Sequence, residues 1–103
     1  PWCIGKGFDH SAPIGPITPA AQAGDVGLAA IWLQVNGADR QRSTVAQLIW
    51  NIAETIEHLS AAWELAPGDL IYTGTPEGVG AVVRGDTLEG GVDGLTPLRL
   101  SVV

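Results

Sequence analysis

Residues 69–80 read D-L-I-Y-T-G-T-P-E-G-V-G and carry two hydroxyls, Thr73 and Thr75, to the end of a short apolar run. Gly74, Gly78 and Gly80 let the backbone take φ > 0 or come close to a ligand, and Pro76 stiffens the turn. A loop built this way presents hydroxyls and unencumbered backbone N–H groups, the donors that hold a small anionic or carbonyl-bearing molecule. The same residues also describe a glycine turn that binds nothing, so the surrounding sequence has to decide.

Lys6, the only lysine of the chain, lies between two glycines in G-K-G-F-D-H. A point charge with three rotatable donors in that setting suits a carboxylate or an oxyanion; the alternative is an exposed loop lysine. Asp9 and His10 could form an acid–base pair, although adjacent side chains rarely aim at one target. His58 has no second ligand one helical turn away, and no Cys/His cluster has zinc spacing. Asp69, Asp86 and Asp93 stand next to glycines, where side-chain bonds to the backbone two residues on account for them. A calcium loop needs its carboxylates closer together. Neither Ser11 nor Ser60 sits in a G-x-S-x-G elbow.

The elements that must position these groups are legible in outline. Residues 1–27 are dense in Pro and Gly, which forbids a long helix and reads as a short strand followed by an extended loop. Residues 28–35 form an apolar, β-rich run, and Asn36-Gly37 after it is a strong two-residue hairpin signal, returning through residues 38–42. Val45, Leu48, Ile49, Ile52, Ala53, Ile56 and Leu59 recur with a period near 3.6, which predicts one main helix over about 44–61. Thr44 and Gln47 are spaced as its capping box. Pro67-Gly68 turns the chain into a strand over 69–73, and strands over Thr87–Val92 and 96–103 follow, separated by Asp93-Gly94. The fold class expected is α+β, mostly β and dominated by antiparallel sheet, in one domain or part of one.

Composition narrows the function. Hydrophobic residues make up 46% of the chain and charged ones only 16%, a thin polar skin for 103 residues. The excess reads as surface to be covered by a partner subunit or by further sequence. With a formal charge of −6 and no Lys/Arg cluster, the chain is a poor fit for nucleic acid. No basic amphipathic or spanning segment suits a membrane, and no signal peptide is recognisable. A single cysteine, Cys3, excludes an internal disulfide and points to a cytoplasmic location.

Taken in order, Pro1-Trp2 with Lys6, Phe8, Ser11 and Pro13, then I-W-L-Q-V-N-G-A-D-R-Q, L-A-P-G-D-L-I-Y-T-G-T-P-E-G-V-G and G-D-T-L-E-G-G-V-D-G-L resemble the fumarylacetoacetate hydrolase family. The nearest likeness is to its acylpyruvate and fumarylpyruvate hydrolase branch, and it runs almost end to end. The resemblance implies a mixed β-sandwich or roll that dimerises, with a divalent metal, Mg or Mn, in its site. It implies a hydrolase that cleaves a carbon–carbon bond in a 1,3-diketo acid to give pyruvate and a carboxylic acid. Isomerisation or decarboxylation of 2-keto diacids by the same site, and a non-catalytic dimerisation module around Trp32, Trp50 and Trp63, are the alternatives. Carried over residue by residue, Lys6 is the catalytic, electrostatic residue and also binds substrate. Thr75 bonds the substrate carboxylate, with Gly74 beside it. The family's metal ligands, an E-x-E pair and a further aspartate, and its His-Glu pair have no counterpart in this sequence. Residues 1–103 are therefore expected to be the C-terminal portion of one catalytic domain, without metal ligands, forming a homodimer or associating with a missing N-terminal part.

Overall fold

The computed structural model describes residues 1–103. Four strands form one antiparallel sheet: β1 (Ala30–Val35), β2 (Ala38–Thr44), β3 (Thr87–Val92) and β4 (Leu98–Ser101), in the order β2-β1-β3-β4. The β1–β2 hairpin closes on Asn36-Gly37 with φ of 52° and 80°, the double left-handed conformation that a right-twisted hairpin demands. Pairing runs Leu33 opposite Gln41 and then Gln34 opposite Asp39, so Arg40 is one residue too many and β2 bulges there. Three helices lie outside the sheet: α1 (Trp2–Lys6), α2 (Ala20–Ala23) and α3 (Ile52–Ala62). The α+β, mostly antiparallel class stands.

Several boundaries differ from expectation, each for a local reason. The helix expected over about 44–61 is α3 alone, preceded by a 3-10 turn at Val45–Gln47 and an extended Leu48. Its N-terminus is set by Asn51, whose side chain accepts from the Glu54 N–H while the Glu54 carboxylate accepts from the Asn51 N–H, both at 2.9 Å. This reciprocal cap satisfies two donors that the helix leaves open, whereas the Thr44 side chain caps nothing. Trp50 folds back to stack on His58, ring centroids 4.0 Å apart. The opening strand is instead the helical turn α1. The last strand is confined to Leu98–Ser101.

The strand expected over 69–73 is absent. Its apolar residues have no strand beside them, and residues 70–82 make no backbone–backbone hydrogen bond. The turns at either end of this segment are the same device. In Ala66-Pro67-Gly68-Asp69 and Val83-Arg84-Gly85-Asp86 the third-position glycine has φ of 102° and 96°, as a type II turn requires. In each, the aspartate carboxylate reaches back to the N–H three residues earlier, at 2.8 and 2.9 Å. The bond runs backward rather than two residues forward, and Asp93 makes no such bond.

Asp86 also accepts from the Asn36 side chain at 2.8 Å, tying the β1–β2 turn to the start of β3. The Val83 N–H, then the Asn36 amide, hold the Asp86 carboxyl below its ordinary value. A carboxyl depressed by folding contributes stability that is fully present above its unfolded value and fades as pH falls through the folded one. Asp86→Ala should therefore lower the melting temperature at pH 7, and the two melting curves should converge as pH falls below the ordinary carboxylate range. A difference that stays constant with pH would count against this linkage.

The sheet does not close a core within the chain. Only Val35 and Gln41 are buried, each 8% exposed, while Trp2 is 79%, Leu28 80% and Ile49 97% exposed. The accessible surface is 8105 Å², against about 5,500 Å² for a compact monomer of this mass. The radius of gyration, 14.7 Å, also exceeds the roughly 12.8 Å of a compact domain of this length. The apolar composition is thus displayed rather than enclosed.

Candidate functional site

A straight strand sends successive side chains to opposite faces. The bulge at Arg40 suspends that rule, because an inserted residue re-aims its neighbours. Arg40 and Gln41 consequently both reach the segment 75–80: the Arg40 guanidinium lies against Gly80, and the Gln41 side chain lies against Gly78 and Thr75. Beneath them Leu33, Val35 and Val82 line the floor on which the glycine loop rests.

Gly78 is where the loop comes closest. A side chain there would overlap the Arg40 carbonyl oxygen, and its φ of 99° is already outside the range most residues adopt. Gly74 shares the φ of 99° but faces open space. One glycine is required by contact and conformation, the other by conformation alone.

Within this loop the Thr75 side chain is exposed and its Oγ1 lies 2.7 Å from Gln41 Nε2. The second proton of the same Nε2 goes to the Pro76 carbonyl at 2.7 Å, and the Glu77 carbonyl at 3.3 Å shares one of the two. Gln41 is thus a buried side chain with an exposed hydroxyl resting on it.

Lys6 ends α1, with its Nζ 5.0 Å from the centroid of the Trp2 ring. Gly7 follows because its N–H closes the helix on the Cys3 carbonyl at 2.7 Å, and a Cβ at that point would collide with the same oxygen. No carboxylate pairs with Lys6, since the one ion pair of the chain joins Arg42 to Asp39 at 3.1 Å. That pair is exposed, and the Asp39 carboxyl is held down first by the Gln34 amide and then by Arg42. Lys6 and Thr75 make no hydrogen bond to each other. Their segments are joined by Tyr72, whose hydroxyl donates to the Ala12 carbonyl at 3.2 Å. His10 occupies a turn at φ 63°, and His58 is stacked on Trp50. The structure brings neither to Thr75.

No three His, Cys, Asp or Glu side chains converge in a way that could hold a metal ion. The acidic groups nearest the loops are engaged by backbone: Asp25 by Gly27, Asp69 by Ala66 and Asp86 by Val83. The residues present do not fit a metal centre of their own. No helix is long and apolar enough to cross a membrane.

Gln41 is the site residue that sequence reasoning left without a role. Its signal was a lone amide within the charged run of β2, four residues after the hairpin turn, at a position the structure buries.

The family model described as fumarylacetoacetate (FAA) hydrolase C-terminal matches residues 1–103. A fumarylpyruvate hydrolase of Ralstonia sp is 49% identical over 99% of this chain and 53% of its own length. The mitochondrial oxaloacetate tautomerase of Rattus norvegicus is 39% identical over 99% of this chain and 46% of its own. The crystal structure of fumarylpyruvate hydrolase from Pseudomonas aeruginosa in complex with Mn²⁺ and pyruvate superposes with a TM-score of 0.95 and 61% identity. That superposition covers 100% of this chain and 44% of the other. The chain spans about half the length of the curated relatives it matches.

Proposed function

Because the chain belongs to the fumarylacetoacetate hydrolase family, we propose that it supplies the substrate-binding wall of an enzyme that hydrolyses acylpyruvates. Fumarylpyruvate-like 1,3-diketo acids are the substrate class. The observation that carries this reading is the Thr75 hydroxyl, exposed at the loop while its oxygen rests on Gln41. It is supported by similarity to a fumarylpyruvate hydrolase solved with pyruvate.

In the reaction, water adds to the acyl carbonyl and the bond to the pyruvyl methylene carbon breaks. The electron pair leaves as the enolate of pyruvate, which takes a proton at carbon to give pyruvate beside the new carboxylic acid. Thr75 donates to the pyruvyl carboxylate, and the positive φ of Gly74 keeps the backbone there free of a side chain. Lys6, a cation without a counter-ion among these residues, neutralises the charge that grows on the enolate oxygen. The Pseudomonas relative was solved with Mn²⁺; a divalent ion here, Mg²⁺ or Mn²⁺, would take its ligands from outside these residues, since no cluster of theirs could hold one.

The same reading makes residues 1–103 the C-terminal portion of one catalytic domain. About 2,600 Å² of surface in excess of a compact monomer is the size of an obligate interface. The remainder of the domain or a second copy covers it, with Ile49, Trp63 and Val79 among the residues that gain most.

A second reading rests on the 39% identity to an oxaloacetate tautomerase: proton movement in a 2-keto diacid without bond cleavage. Proton NMR on the complete, Mn²⁺-loaded polypeptide separates the two. Fumarylpyruvate should yield pyruvate and fumarate in equal amounts. Keto–enol interchange of oxaloacetate with fumarylpyruvate left intact would replace the hydrolase reading with the tautomerase one.

A further inference from the structure

We propose that Gln41 is the positioning residue that fixes the direction of the Thr75 hydroxyl, so that its proton points at the ligand and never back into the protein. The inference rests on the reading of Thr75 as a carboxylate contact and goes beyond it to the group that orients that contact.

Pro76 O and Glu77 O, at 2.7 and 3.3 Å, are carbonyls and can only accept. The atom facing them must be the nitrogen of Gln41, which settles the amide orientation without appeal to Thr75. An NH₂ group has no acceptor capacity, so Thr75 Oγ1, 2.7 Å from the same nitrogen, can only accept from it. A hydroxyl has one proton, and with this neighbour a donor the proton is left for an outside acceptor. Thr75 is exposed, so that acceptor can be a ligand carboxylate.

Two further features make this a built arrangement. Gln41 is one of the two buried residues of the chain, and an amide is costly to bury unless its bonds are made. The bulge at Arg40 turns it toward the loop, which has no backbone–backbone hydrogen bond anywhere in residues 70–82. The Gln41 amide is therefore the main polar tether of the Thr75 segment as well as the group that orients its hydroxyl.

Gln41→Glu tests the direction of the bond, because it keeps the shape and replaces the donor by an acceptor. The Thr75 hydroxyl then donates inward to the carboxylate, which also repels the Pro76 and Glu77 carbonyls, so the ligand loses the hydroxyl proton and the loop loses its tether. The measurement is calorimetric titration of pyruvate into the complete, Mn²⁺-loaded protein, with melting temperature as a check on folding. Thr75→Val should weaken pyruvate about 10- to 100-fold, the worth of one hydrogen bond to a charged group. Gln41→Glu should weaken it by a similar factor, and the double variant Gln41→Glu/Thr75→Val should be no weaker than Thr75→Val alone. Should Gln41→Glu fail to fold, Gln41→Met, which keeps the length and removes the donor, takes its place. It should lose about 3- to 10-fold, again with no further loss in the Thr75→Val background. Additive losses, or unchanged affinity in a folded Gln41 variant, would overturn the role of Gln41 while leaving Thr75 in place. Unchanged affinity in Thr75→Val would instead remove the premise about Thr75 itself.

Discussion

Replacing Lys6 by Ala in the complete enzyme should lower kcat/KM for an acylpyruvate about 10- to 150-fold. That range is about 1.5–3 kcal/mol, the value of a hydrogen bond in which one partner is charged. The size follows from how the side chain is held. Within residues 1–103 its ammonium has no carboxylate partner, and the Trp2 face, 5.0 Å from Nζ, attracts the cation without neutralising it. The full positive charge is therefore available to an anion. Carbon–carbon cleavage moves an electron pair onto the pyruvyl oxygen, so an anion at that point is stronger in the transition state than in bound substrate. A group that meets it should act on kcat more than on KM. Lys6→Met, which keeps the apolar stem, should behave like Lys6→Ala, whereas Lys6→Arg should retain part of the rate because the charge survives on a different shape. Steady-state kinetics on the three variants decides the matter. If Lys6→Ala and Lys6→Met match the parent enzyme, the lysine is an ordinary surface residue. A loss confined to KM would make it a binding group alone.

What could be read from the chain and what could not divide along a physical line. The Asn36-Gly37 hairpin was legible because its backbone demand is local: two residues must take φ > 0, and few others do so cheaply. The class of the fold and the loop at Thr73-Gly74-Thr75-Pro76 were legible for similar reasons. The helix boundary was misplaced because apolar periodicity continues through Val45, Leu48 and Ile49 whether or not the backbone does. The Asn51–Glu54 cap that stops it was present in the sequence but outweighed by that period. Residues 69–73 have the composition of a strand, but a strand is defined by a neighbour, and none lies beside them in this chain. The bulge at Arg40 left no trace, since A-D-R-Q-R-S has no apolar alternation against which an inserted residue could be counted. Gln41, visible in the V-N-G-A-D-R-Q run, was left without a role for the same reason. Its importance comes from facing the loop rather than solvent, and only the bulge decides that.

Gly78→Ala should destabilise the complete protein by about 2–5 kcal/mol, well beyond the cost of the same change at Gly74. The two glycines share a φ of 99°, so the strain of holding a side chain in that conformation is common to both. It is about 1–2 kcal/mol for an L-residue. Their surroundings differ. A Cβ at Gly74 meets nothing, whereas one at Gly78 overlaps the Arg40 carbonyl and crowds the Gln41 side chain. The partner at Arg40 is the backbone of the bulge residue, held on either side by the paired Asp39 and Gln41, and cannot rotate away as a side chain could. The loop must lift, at a further cost of about 1–3 kcal/mol for overpacking. Lifting it also separates Thr75 from Gln41, because their bond at 2.7 Å leaves no slack. Gly78→Ala should accordingly weaken pyruvate binding as well, while Gly74→Ala, at about 1–2 kcal/mol, should leave the Gln41 contact intact. Denaturant titration of both variants measures the difference in stability directly. Equal losses would mean that the loop does not rest on the bulge, and the geometry that turns the Thr75 hydroxyl outward would lose its support.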